Sequence, residues 1–118
     1  MRASLGMIGI DCANPGVLAD FYHQLIGWPI MAKETGYAMI QSGDIPIIFW
    51  RIEDYRPPTW PDADTPKQFH FDLMVDDLDA AEARGLELGA TRPLHQPGGH
   101  WRVLLDPAGH PFCLANPQ

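Results

Sequence analysis

Asn14-Pro15-Gly16-Val17-Leu18-Ala19-Asp20-Phe21-Tyr22-His23-Gln24-Leu25-Ile26-Gly27 is the stretch from which the fold can be read. Asn is a strong N-cap because its side-chain oxygen accepts a first-turn amide, and Pro suits the first helical position, where an N–H has no partner. Val17, Leu18, Phe21, Tyr22, Leu25 and Ile26 recur at helical spacing and make one apolar stripe. Gly27 fits the position after the helix, where φ is often positive, and Pro29 stops continuation. Before this helix, residues Leu5 to Cys12 read as a strand with Ile8, Ile10 and Cys12 on one side. After it, short strands are expected at 30–32, 37–41 and 47–52, separated by turn residues at Glu34-Thr35-Gly36 and Ser42-Gly43-Asp44.

Residues 54–66 contain Pro57, Pro58, Pro61 and Pro66, a density that excludes helix and central strand and predicts a stiff, exposed connector. Beyond it the pattern returns. Phe69, Phe71, Leu73 and Val75 alternate along a strand, leaving His70, Asp72 and Met74 on the other face. Asp77 caps a second helix with Leu78, Ala81, Gly85 and Leu88 inward and Gly89 closing it. Strands are expected at 92–94, 101–105 and 112–115, with Asp106-Pro107-Ala108-Gly109 as a type I turn. The two caps lie 63 residues apart and the two closing glycines 62, so the spacing reads as a duplication. The class is α+β, one domain over residues 1–118, with modules at about 5–52 and 69–115.

Three segments carry a resemblance to a known family. Asp11-Cys12-Ala13-Asn14-Pro15 leading to Phe21-Tyr22 and Leu25-Ile26-Gly27-Trp28 resembles the first module of the glyoxalase/bleomycin-resistance/extradiol-dioxygenase superfamily, also called vicinal oxygen chelate. His70-Phe71-Asp72-Leu73 running into Val75-Asp76-Asp77-Leu78 and Leu88-Gly89-Ala90 is similar to its second module. Asp106-Pro107-Ala108-Gly109-His110-Pro111-Phe112-Cys113-Leu114 is similar to its terminal hairpin, in the glyoxalase-like subgroup. The resemblance implies paired βαβββ modules forming a curved mixed sheet around a cavity. It also implies, for catalytic members, a divalent metal that polarises the substrate as a Lewis acid. Other members bind a drug without chemistry, so the fold does not choose the reaction.

Carried over residue by residue, the superfamily's metal positions fall on Met7, near Phe49, on His70 and on Cys113. Only His70 is a usual ligand type, and Met7 and Phe49 cannot hold a hard cation. No cofactor is therefore expected. If a divalent metal is present, His70 with Asp11, Asp72 or Cys113 is the set that would take it. His70 and Asp72, two apart on one strand face, are the candidate catalytic pair, because a carboxylate can orient an imidazole. Met7, Phe49 or Trp50, Met74, Trp101 and Cys113 are the expected walls of a ligand site, since apolar surface with a few polar anchors is what small-molecule pockets use. Gly98-Gly99-His100 reads as a flap beside that pocket, and His95, His100 and His110 as solvated turn residues.

Composition narrows the partners. Fifteen Asp and Glu against eight Lys and Arg give a net charge of −7, which argues against nucleic acid and anionic membranes. Cys12 and Cys113 are too few for a disulfide framework and lie in apolar runs, so free thiols are expected. Without a signal-peptide pattern or a long apolar run, the expected location is cytoplasmic. A half-open sheet has edges to cover, which predicts a homodimer. The expected function is binding or sequestering a small ring- or carbonyl-containing metabolite or drug without a metal. The alternative is an enzyme of the same superfamily, a lyase or isomerase with His70 as base or a metal-dependent dioxygenase.

Overall fold

The computed structural model describes residues 2–116, which divide into two compact units, one ending at Arg56 and the other beginning at Pro57. The first contains β1 (Ile8–Cys12), α1 (Pro15–Ile26), β2 (Ile30–Lys33), β3 (Tyr37–Ser42) and β4 (Ile45–Arg51). The second contains β5 (Phe71–Met74), α2 (Leu78–Glu87), β6 (Trp101–Leu105) and β7 (Pro111–Ala115). The first sheet has the order β1-β4-β3-β2 and the second β5-β7-β6. In each, the strand before the helix runs parallel to the last strand, which pairs antiparallel with the one before it. The chain is thus α+β, with two mixed sheets among the described residues.

The helices begin and end where the sequence indicates. The Asn14 side chain accepts from the Val17 amide at 3.3 Å, and Gly27 closes α1 at φ +77° while its amide donates to the His23 carbonyl. Asp77 accepts from the Ala80 amide at 3.0 Å, and Gly89 follows α2 at φ +114°. The buried stripe of α1 is Leu18, Ala19, Phe21 and Tyr22, whereas Val17 stays exposed. Tyr22 stacks on Phe49 of β4, with ring centroids 5.9 Å apart. In the second unit Leu104, Phe112 and Leu114 form the fully buried layer. On this helix-facing side Arg102 reaches Asp79 at 3.1 Å and Arg92 reaches Glu82 at 3.4 Å.

Two sequence expectations are corrected. No strand forms at 92–94. Thr91 makes both backbone bonds to Leu105, at 2.9 and 2.8 Å, and the pairing then stops at Pro93, which has no N–H. The Gln96 side chain takes over: its amide accepts from the Val103 N–H and donates to the Val103 carbonyl, each at 2.9 Å. One side-chain amide thus satisfies the β6 edge that a fourth strand would have covered. The strand expected over 69–75 shrinks to β5, and Phe69 is 91 % exposed. The register would set residue 70 opposite Pro111, where again no donor exists.

Within the proline connector, Thr59 and Thr65 tie a loop through the Thr59 amide to the Thr65 carbonyl, at 2.6 Å, and the Thr65 amide to the Thr59 hydroxyl, at 2.9 Å. Pro57 lies so close to Gly109 that a Cβ there would come within 2.6 Å of it. Gly109, at φ +87°, closes the turn in which the Asp106 carboxylate accepts from the Ala108 and His110 amides.

Candidate functional site

β-pleating divides each sheet into a helix-facing and an open side, and register decides which open-side residues become neighbours. In the second unit Asp72 pairs with Cys113, and Cys113 with Val103, so these three lie in one row across β5, β7 and β6. Met74, Ala115 and Trp101 form the next row. The two rows are the floor of an open cavity of about 620 Å³, a size that suits a small organic molecule. His70 stands at its edge, one pleat before Asp72. Every lining residue belongs to the second unit.

The polar groups converge on one end. His70 Nε2 lies 3.4 Å from Asp72 Oδ1. Donor atoms of His70, Asp72 and Cys113 all fall within 4.8 Å of one another. Burial pushes the Cys113 thiol above its usual range, and the neighbouring Asp72 carboxylate pushes it further, against an opposing pull from Lys67. At neutral pH Cys113 is therefore a protonated thiol, not a nucleophile. Both cysteines are free and buried.

Five residues expected at the site, His70, Asp72, Met74, Trp101 and Cys113, line this cavity. Phe49 does not belong to an open face. It is 0 % exposed and packs on Tyr22, because the β4 register turns it toward α1. Trp50 takes the open side of the first sheet, 44 % exposed, with its ring 5.7 Å from Tyr37 and above Gly9. Met7 shares strand parity with Gly9 and is exposed; Asp11, of the same parity, is also on β1 of the first unit.

Among the lining residues that sequence reasoning missed are Trp60 and Lys67, which lie in or beside the proline connector. Lys67 Nζ sits 5.2 Å from the centre of the Trp60 ring, and His95 packs against the same ring at 5.5 Å. His100 is a lining residue and not merely a solvated one. A tryptophan amid prolines and acids, with no strand or helix to bury it, was the available signal. Gly98 belongs to the site for a steric reason: an added methyl would overlap the six-membered ring of Trp101. The Gly98-Gly99 turn is thus the seat of the Trp101 indole.

This paired arrangement of strand, helix and returning strands matches the glyoxalase-like domain family over residues 7–115. The chain belongs to that family. Among solved structures, this glyoxalase-like chain is similar to a glyoxalase/bleomycin resistance protein/dioxygenase family enzyme from Burkholderia phytofirmans PsJN. The TM-score is 0.73 at 22% identity, covering 97% of this chain and 98% of that one. It is also similar to an antibiotic-binding protein from Streptomyces sp. CB03234, with TM-score 0.62, 21% identity and coverage of 99% and 98%. A bleomycin-binding protein solved with bleomycin gives TM-score 0.60, 21% identity and coverage of 98% and 100%. A comparison with curated proteins returned no match.

The donor set can be tested against the metal that catalytic relatives of this family imply. One imidazole, one carboxylate and one thiol suit a zinc-type ion with an open position and do not suit a hard cation such as magnesium. His70, Asp72 and Cys113 would be its holders, and the ion would have to displace the Cys113 proton.

Proposed function

We propose that this protein binds or sequesters a small ring- or carbonyl-bearing molecule, without a metal, on the open face of its second sheet. The observation that carries the reading is the cavity floor: apolar Met74, Val103 and Ala115 beside Trp101, with His70 and Asp72 grouped at one end. Flat apolar surface offers stacking and dispersion, and a few convergent polar atoms fix orientation. The likeness to antibiotic-binding folds supports a binding role. A cytoplasmic location and a homodimer, testable by light scattering, complete the proposal.

The test is a calorimetric titration with 1-naphthamide, a neutral probe with both a ring and a carbonyl. Binding by the wild-type protein, weakened about ten- to hundredfold by His70→Ala with an unchanged unfolding midpoint, is the expected result, as losing a buried hydrogen bond costs about 1–3 kcal/mol. An unchanged affinity in His70→Ala removes His70 from the site.

A second reading is favoured by the convergence of three donors: an enzyme of the same superfamily. It is either a lyase or isomerase in which His70 takes a proton while Asp72 orients the ring, or a metal-dependent dioxygenase. A zinc-type ion bound there would polarise a carbonyl as a Lewis acid. About one equivalent of metal by elemental analysis, absent from His70→Ala, selects this reading over the first.

A further inference from the structure

The ion pairs of the second unit leave one cation over. Its basic side chains are Lys67, Arg84, Arg92 and Arg102. Arg84 is paired with Glu87, Arg92 with Glu82, and Arg102 with Asp79 and Glu82. Among the described residues only Lys67 of these four has no carboxylate within ion-pair distance, and Lys67 lines the cavity. It is held there by the face of Trp60, an attraction that fixes the ammonium without neutralising it.

The one carboxylate on the cavity floor, Asp72, has a neighbour of its own: it faces the His70 imidazole at 3.4 Å. The chain as a whole carries −7, but charges beyond about 8 Å are largely screened at physiological salt. At the Trp60 end the charged group is Lys67, and the imidazoles of His70 and His100 also line the cavity. Trp101 meanwhile presents a partly exposed indole, seated on Gly98, beside Met74 and Val103.

We propose that the ligand class of this cavity is an aromatic acid: a planar ring lying on Trp101 with its carboxylate drawn to Lys67. The inference rests on the binding reading above and deepens it by naming the charge. Lys67 supplies the charged hydrogen bond, Trp60 positions it, and Trp101 supplies the stacking surface.

The experiment compares 1-naphthoate, 1-naphthamide and 1-naphthylmethylammonium by calorimetry at pH 7 and moderate salt. The naphthoate should bind at least tenfold more tightly than the amide, and the ammonium most weakly. Lys67→Met should bring naphthoate and amide within about twofold of each other, and Lys67→Arg should keep the preference. An amide or ammonium that binds as well as the naphthoate overturns the aromatic-acid assignment and leaves the binding reading standing. A preference that survives Lys67→Met, or disappears in Lys67→Arg, overturns the role of Lys67. Failure of all three probes to bind at millimolar concentration overturns the binding reading itself, and this inference with it.

Discussion

The two units share one wiring and differ in what they place on the open face. Aligning the caps and strand registers sets Met7 against His70, Gly9 against Asp72, Ile48 against Cys113, and Met39 against Val103. Tyr37 matches Trp101, and Trp50 matches Ala115. The helix-facing positions agree in kind: Phe49 and its counterpart Leu114 are both fully buried. The second unit lacks a counterpart of β2, and the two units also differ on the open side, where nothing in the core constrains side-chain size. In the first unit Trp50 lies across Gly9 and fills its own row. In the second unit Ala115 puts no ring between Met74 and Trp101, and an open cavity lies over this row and the next. A tryptophan in one unit thus stands where the other has an alanine beside a cavity.

The comparison can be broken first at the core. Phe49→Ala should cost about 3–5 kcal/mol by denaturant unfolding and Trp50→Ala under about 1.5 kcal/mol, because only Phe49 leaves a void sealed by Tyr22. Equal costs would mean that the helix-facing and open sides of β4 are misassigned. The next largest effect concerns the cavity. Ala115→Trp copies the first unit's solution into the second and should lower 1-naphthamide affinity at least a hundredfold, with far-UV circular dichroism unchanged. Retained affinity would detach ligand binding from the Ala115 row.

The caps offer a finer test of likeness. Asn14→Ala and Asp77→Ala should each cost about 1 kcal/mol, since each removes one accepted amide of the same geometry. A cost in one helix only would show that the two ends are not equivalent. The smallest effect is chemical. The raised Cys113 pKa keeps the thiol protonated until pH exceeds the ordinary cysteine range, so iodoacetamide should react slowly at pH 8 and faster as pH climbs. Asp72→Asn removes a negative charge that opposes the thiolate, so its pKa falls and alkylation at pH 8 should quicken a few-fold. The gain is small because the Asp72 side chain is 58 % exposed and water screens it. A slower reaction in Asp72→Asn would contradict the sign of the coupling.

Local chemistry made much of this legible before any coordinates. Asn14, Pro15, Gly27 and Asp77 act within a few residues of themselves, through caps and backbone freedom, so α1 and the start of α2 follow from their neighbours in sequence. Alternation also separated His70, Asp72 and Met74 from Leu73, because strand faces depend on parity alone. What needed the folded chain was everything set by register and by distant contact. Whether Phe49 or Trp50 faced outward depended on a single step in the β4 pairing, which no local preference decides. Prolines at 93 and 111 gave local warning of the lost strand and the shortened one, but the Gln96 substitute for a ladder partner is a long-range fit. Asp72 meets Cys113 only because β5 pairs in parallel with β7, and Trp60 and Lys67 reach the cavity only because their loop folds back. The sequence by itself determined the helices, their ends and the two faces of β5. Tertiary structure decided which of those faces stayed open and which side chains met there, because register and packing are properties of pairs of segments.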